Sequence, residues 1–169
     1  MRRSTTLTKK ITFCAMLSAL GALSLLITNI LPTVTAFFYL FSTFFTYVAT
    51  EEYGIRYGIS TCVVITLLGF ILVASKVDMV AYAIVITHYP IVKHIVDHKV
   101  FSKAIRWVIK LVWVSLLAVA AYFVMIQFAP FEDALWLLYV LLMAVIVLYD
   151  IVLERAIQFY AIRLRRFKF

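Results

Sequence analysis

Apolar residues in this chain gather into six blocks, 11–31, 34–49, 59–74, 79–95, 111–128 and 134–153, parted by short polar gaps. An α-helix rises 1.5 Å per residue, so about 20 residues cross a hydrocarbon layer roughly 30 Å thick. Each block therefore reads as one spanning helix. The expected fold is all-α, a polytopic integral membrane protein built as one compact six-helix bundle. The fourth block is the shortest before it meets Lys93, but a lysine at a helix end can send its ammonium group to the headgroups, which brings Lys93 and His94 into the same helix.

The gaps carry the orientation. Cytoplasmic loops retain Lys and Arg, whereas translocated loops lose them. Fifteen of the sixteen basic residues fall before the first block, between the second and third, from the inner end of the fourth (Lys93) to the start of the fifth, or after the sixth. Only Lys76 lies on the other side. Both ends of the chain are thus expected in the cytoplasm. The outer connections are very short (Pro32 and Thr33, Ser75 to Asp78, Ala129 to Asp133), so consecutive helices are expected to be antiparallel neighbours. Pro32 and Pro130 suit outer turns, and Pro90 is expected to interrupt the fourth helix.

Composition narrows this further. Of 169 residues, 66% are apolar and 14% charged, which leaves room for six helices and short connections but no soluble domain. The net charge of +8 does not point to nucleic acid, because the cations flank spans where anionic headgroups and the insertion bias account for them. The lipid bilayer is the partner the composition demands. The first apolar stretch exceeds the h-region of a signal peptide and more apolar chain follows at once, so it reads as a retained span. Cys14 and Cys62 fall toward cytoplasmic helix halves and read as small packing residues. No CxxC, HExxH, phosphate-cradling glycine loop or GxSxG elbow occurs, so neither an enzyme nor a cofactor is expected.

Two inner segments mix charge with apolar side chains. Residues 94–110 read as a cytoplasmic amphipathic connection and 154–169 as a basic cytoplasmic tail, both suited to the headgroup layer or to a cytoplasmic partner. No internal repeat is evident, which weighs against the inverted-repeat plan of many secondary transporters.

Candidate chemistry is sparse. Ala15, Ser18, Ala19 and Ala22, with Gly21 adjoining, recur at helical spacings of three and four, giving the first helix a face without bulky side chains. Such a face serves either packing within the bundle or docking of a separate subunit. A ligand site would open outward, among Asn29, Lys76, Asp78, Tyr82, Gln127 and Trp136. Lys76, the one outward cation, would hold an anionic ligand, unless it and Asp78 form a solvated turn. Tyr82 and Trp136 also suit an interfacial aromatic belt, and Asn29 and Gln127 a helix-to-helix hydrogen bond. His94 and His98 are one helical turn apart with Asp97 near, a spacing that permits a metal; further ligands are missing from the pattern, and no metal site is expected. Asp150 and Glu154 read as partners of nearby cytoplasmic cations.

The short helices, cytoplasmic ends, length near 170 residues, basic start running into Lys9-Lys10-Ile11-Thr12, and Ala15-x-x-x-Ala19 resemble the substrate-binding S components of energy-coupling factor transporters. Tyr89-Pro90-Ile91-Val92-Lys93, after a span beginning just past Lys76, is also similar to small S-component-like membrane proteins of Gram-positive bacteria. The resemblance implies a multi-pass protein of the bacterial cytoplasmic membrane that binds a small-molecule solute. It also implies docking through Ala15 and Ala19 to a transmembrane T component, which two cytoplasmic ATPases drive. The chain departs from many family members in having only Pro32 and Thr33 where they carry a substantial outer loop.

Overall fold

The computed structural model describes residues 2–99, 102–125, 145 and 147–156. The chain divides into two units, 1–128 and 129–169. Among the described residues the fold is helical without strands. The first unit contains α1 (Arg2–Ile27), α2 (Thr35–Tyr53), α3 (Ile55–Leu72), α4 (Lys76–Ala81), a π-helical turn (Tyr82–Ile86), α5 (Tyr89–Lys99) and α6 (Lys103–Met125). In the second unit a helix covers 147–156. The rest of the sixth expected span, Gln127, Trp136 and the tail beyond 156 lie outside the described residues.

Helix ends fall where backbone chemistry puts them, not where hydrophobicity changes. α1 starts at Arg2 rather than Ile11 because no glycine or proline stops it on the polar side. It ends at Ile27, ahead of Pro32, whose ring disfavours helical geometry at Leu31 (φ −123°, ψ 74°). Gly54 stops α2 at φ +92°, a conformation costly for any residue with a Cβ, and its amide still bonds the Thr50 carbonyl. Ser75 caps α4 by accepting from the Asp78 amide, and the Asp78 carboxylate sits favourably in the first turn.

Among the described residues three stretches are long and apolar enough to cross a membrane: Leu7–Ile27, Ile55–Leu72 and Lys76–His98. The last combines α4, the π turn and α5. Its irregularity precedes Pro90. Pro90 offers no amide to the Ile86 carbonyl and its ring would press on that group. Instead the helix widens, Thr87 N–H bonding the Tyr82 carbonyl at 3.1 Å, and Pro90 lands in the first turn of α5, where no donor is required. Within the 94–110 segment, 94–99 continue α5 and 103–110 open α6, so its described charged residues lie on two helix ends.

α2 packs against α1, α3 and α5. It carries Ser42, Thr43, Thr46 and Thr50, all buried, and it is not among the three strongly apolar stretches. The hydroxyls of Ser42, Thr43 and Thr50 donate to carbonyls one turn back in their own helix, so they are buried without breaking the hydrogen-bond balance. Elsewhere the outward surface is strongly apolar, including Ile59, Leu67 and Ile71 on α3 and Val108, Val112 and Leu116 on α6. Such a surface suits hydrocarbon better than water.

The turns sort to two ends. Asn29, after α1, bonds the backbone after α3, so the α1–α2 and α3–α4 turns lie together. At the opposite end Lys10 lies over the rings of Tyr53 and Tyr57, at 5.7 Å from each centroid, and Glu51 meets His94. Lys76 lies at the first end, and Lys10, Lys93 and Lys110 lie at the second.

Candidate functional site

The small-residue stripe of α1 divides in two. Ser18 and Ala22 are buried together with Gly21, Leu17 and Leu25; a Cβ on Gly21 would sit 2.5 Å from the Ile65 Cδ1 of α3. The Ser18 hydroxyl is spent on the Cys14 carbonyl at 2.9 Å. Ala15 and Ala19, one turn apart, are exposed beside Met16, Leu20 and Leu23. Of the four positions expected to dock a partner, Ser18 and Ala22 therefore pack inside the unit, and the external pair is Ala15 and Ala19. The reason is geometric: residues three apart on a helix differ by about 60° around the axis, enough to turn one side of a small-residue stripe inward and the other outward.

The expected ligand residues are partly drawn together. Asn29 is exposed, with its amide nitrogen 2.8 Å from the Leu72 carbonyl and its carbonyl oxygen 2.9 Å from the Ala74 amide. It clasps the end of α1 to the end of α3. Lys76 turns back on α3, its ammonium 2.6 Å from the Phe70 carbonyl and 2.7 Å from that of Val73. It thereby neutralises carbonyls at the negative end of the helix dipole. Asp78 is exposed.

Tyr82 is instead a core residue. Its ring lies 5.1 Å from that of Tyr39, and its hydroxyl is 2.8 Å from Ser42 Oγ. Leu25, Tyr39, Ile65, Val73, Met79 and Tyr82 form the core, closed so tightly that a Cβ on Gly69 would meet Met79 Cε at 2.5 Å and Leu25 Cδ1 at 2.7 Å. Deeper along the helices, Thr66 and Thr87 hydroxyls lie 3.1 Å apart, and Cys62 Sγ is 3.5 Å from the Thr87 carbonyl. Among the described residues the buried Tyr39 and Thr61 hydroxyls make no hydrogen bond of good geometry, with Thr28 beside the first and Cys14 beside the second. Cys14 and Cys62 are both free and buried, consistent with small packing residues.

At the other end α5 presents two adjoining stripes. On one, Asp97 pairs with Lys93 at 3.4 Å and with Lys110 of α6 at 2.8 Å. Both lysines are buried, so each ammonium meets a carboxylate rather than lipid. On the other, His94 Nδ1 meets Glu51 Oε1 at 2.9 Å. Glu51 was not among the residues the sequence pattern singled out; it stands in α2, far from α5 along the chain, and only the packing of those helices brings it there. In the second unit Asp150 is buried and Glu154 exposed, one turn apart on the same helix. The chain matches no family model, no curated protein and no solved structure.

Proposed function

We propose that this chain is a multi-pass subunit of a cell membrane, with six spans and both ends in the cytoplasm. It docks to a second membrane protein through the outward Ala15–Ala19 pair of α1. The exposure of those two alanines, while Ser18, Gly21 and Ala22 beside them are buried, is the observation that carries this reading. Two small residues one turn apart let a partner helix approach the α1 backbone closely, and close approach supplies the packing energy that helix association in lipid requires. In the form implied by the resemblance to S components, the partner is the T component of an energy-coupling factor importer with its two ATPases, and this chain is the solute-binding subunit. It performs no catalysis of its own.

A neutral solute fits the polar groups better than an anion. Lys76 and Asn29 already satisfy backbone groups, whereas the buried Tyr39 hydroxyl, with Thr28 beside it, is not committed to the backbone. Co-purification from the native membrane in mild detergent tests the assembly: a T component and ATPases are expected with the chain. A nutrient panel screened by thermal unfolding tests the solute, because a binder must raise the melting temperature by mass action. Lys76→Ala is expected to lower stability while leaving the shift produced by a neutral solute intact.

The closed core around Gly69 and the clasped turns favour a second reading, a structural or regulatory membrane protein that docks through the same alanines and carries no solute. An unrelated membrane protein recovered with the chain, and no thermal shift from any solute, select this reading.

A further inference from the structure

The end of α2 and one stripe of α5 bring three metal-ligating side chains together. Glu51 lies in the last turn of α2, and His94 and His98 lie one turn apart on α5. One ligand atom from each lies within 4.8 Å of the other two, and the imidazole centroids are 4.2 Å apart. The Glu51 Oε1 to His94 Nδ1 separation is 2.9 Å. Two donors on one ion, with bonds of about 2.0–2.1 Å, sit about 2.9–3.4 Å apart, depending on whether the angle is octahedral or tetrahedral. His98 Nδ1 is 2.9 Å from the His94 carbonyl. Since a carbonyl only accepts, Nδ1 carries a proton, and in the neutral ring the Nε2 lone pair is then the one open to a metal. That is the tautomer of a metal ligand whose ring is fixed by a backbone partner.

The surroundings suit a cation. The last carbonyls of α2 add the negative end of a helix dipole to the Glu51 charge. The nearby ammonium groups of Lys93 and Lys110 are turned to Asp97 on the adjoining stripe. Glu51 and His94 are half-buried and His98 is exposed, so an ion can arrive from water and still be held by partly desolvated ligands. We propose that Glu51, His94 and His98 bind a divalent transition-metal ion of the zinc class, with water completing the coordination. Two imidazoles and one carboxylate are the donor set such ions prefer, and the bound ion would pin the end of α2 to α5.

The test uses the full chain without a polyhistidine tag, purified in detergent and stripped with chelator. Titrated Co²⁺ is expected to develop ligand-field absorption that saturates at one ion per chain, and Zn²⁺ is expected to displace it and raise the melting temperature. His98→Gln changes an exposed side chain and so leaves folding intact. Glu51→Gln keeps a neutral hydrogen bond to His94. Loss of an outer-shell partner alone weakens metal sites about 10- to 100-fold, so each variant is expected to weaken Co²⁺ binding at least about tenfold. Absence of the absorption and of any Zn²⁺-dependent stabilisation overturns the site, as does Co²⁺ binding that both variants leave unchanged. Co-purification of a transport partner, or its failure, bears on neither result.

Discussion

Single residues in this chain are constrained most where a side chain has been omitted. Gly58 of α3 faces Thr50 of α2, and a Cβ there would collide with the Thr50 hydroxyl and lie 2.9 Å from its Cβ, at the base of the side chain rather than at a flexible tip. Gly58→Ala is expected to cost about 1–3 kcal/mol, the usual range for overpacking, measured by thermal or denaturant unfolding in detergent. Thr50→Ala in the same chain removes the hydroxyl but keeps the Cβ and is expected to restore only part of the loss; an unaltered Gly58→Ala protein would show that α2 and α3 do not approach so closely. Residues such as these were only partly legible in the sequence. Asn29 stands out as a polar group near a helix end, but its partners at Leu72 and Ala74 lie on another helix. Lys76 stands out as the lone outward cation, and what it does, holding the carbonyls that end α3, depends on a turn geometry that hydrophobicity does not encode. Glu51 reads as one of two acids at a helix end until α5 is placed against it.

At the scale of elements, the described helices depart from the edges of the apolar blocks. Apolar blocks mark the stretch of chain that tolerates hydrocarbon, whereas the helix runs on until a cap, a glycine or a proline ends it. This is why α1 extends back to Arg2 and why α5 and α6 divide the expected 94–110 connection between them. The small-residue pattern of α1 was legible as a pattern, but which alanines face outward follows from where α3 packs. Gly54 illustrates an element boundary set by backbone alone: nothing lies within 4 Å of a Cβ placed there, yet φ is +92°. Gly54→Ala is therefore expected to destabilise the protein by about 1–2 kcal/mol through conformational strain, with no steric contribution. A Gly54→Ala protein as stable as the parent would mean that the α2–α3 turn relaxes freely.

For the whole molecule, the grouping of turns at two ends turns the charge pattern into a topology experiment. Asn29 holds the α1–α2 and α3–α4 turns at one end, where Lys76 is the cation, and Glu51 with His94 marks the other. Cysteines placed at Thr33 and Ser75 are expected to react with a membrane-impermeant thiol reagent in intact cells, and cysteines at Arg56 and Ser102 only after lysis. Labelling of the reverse set would invert the orientation while leaving the helix packing untouched. The docking face is tested most directly by bulky substitution on the two sides of α1. Ala15→Trp and Ala19→Trp, on the exposed side, are expected to leave the isolated protein folded and monodisperse while abolishing its association with the partner subunit. Ser18→Trp and Ala22→Trp, on the buried side, are expected to disrupt the fold itself. Assembly that persists with Trp at positions 15 and 19, or collapse of those variants in isolation, would contradict an external docking face on α1.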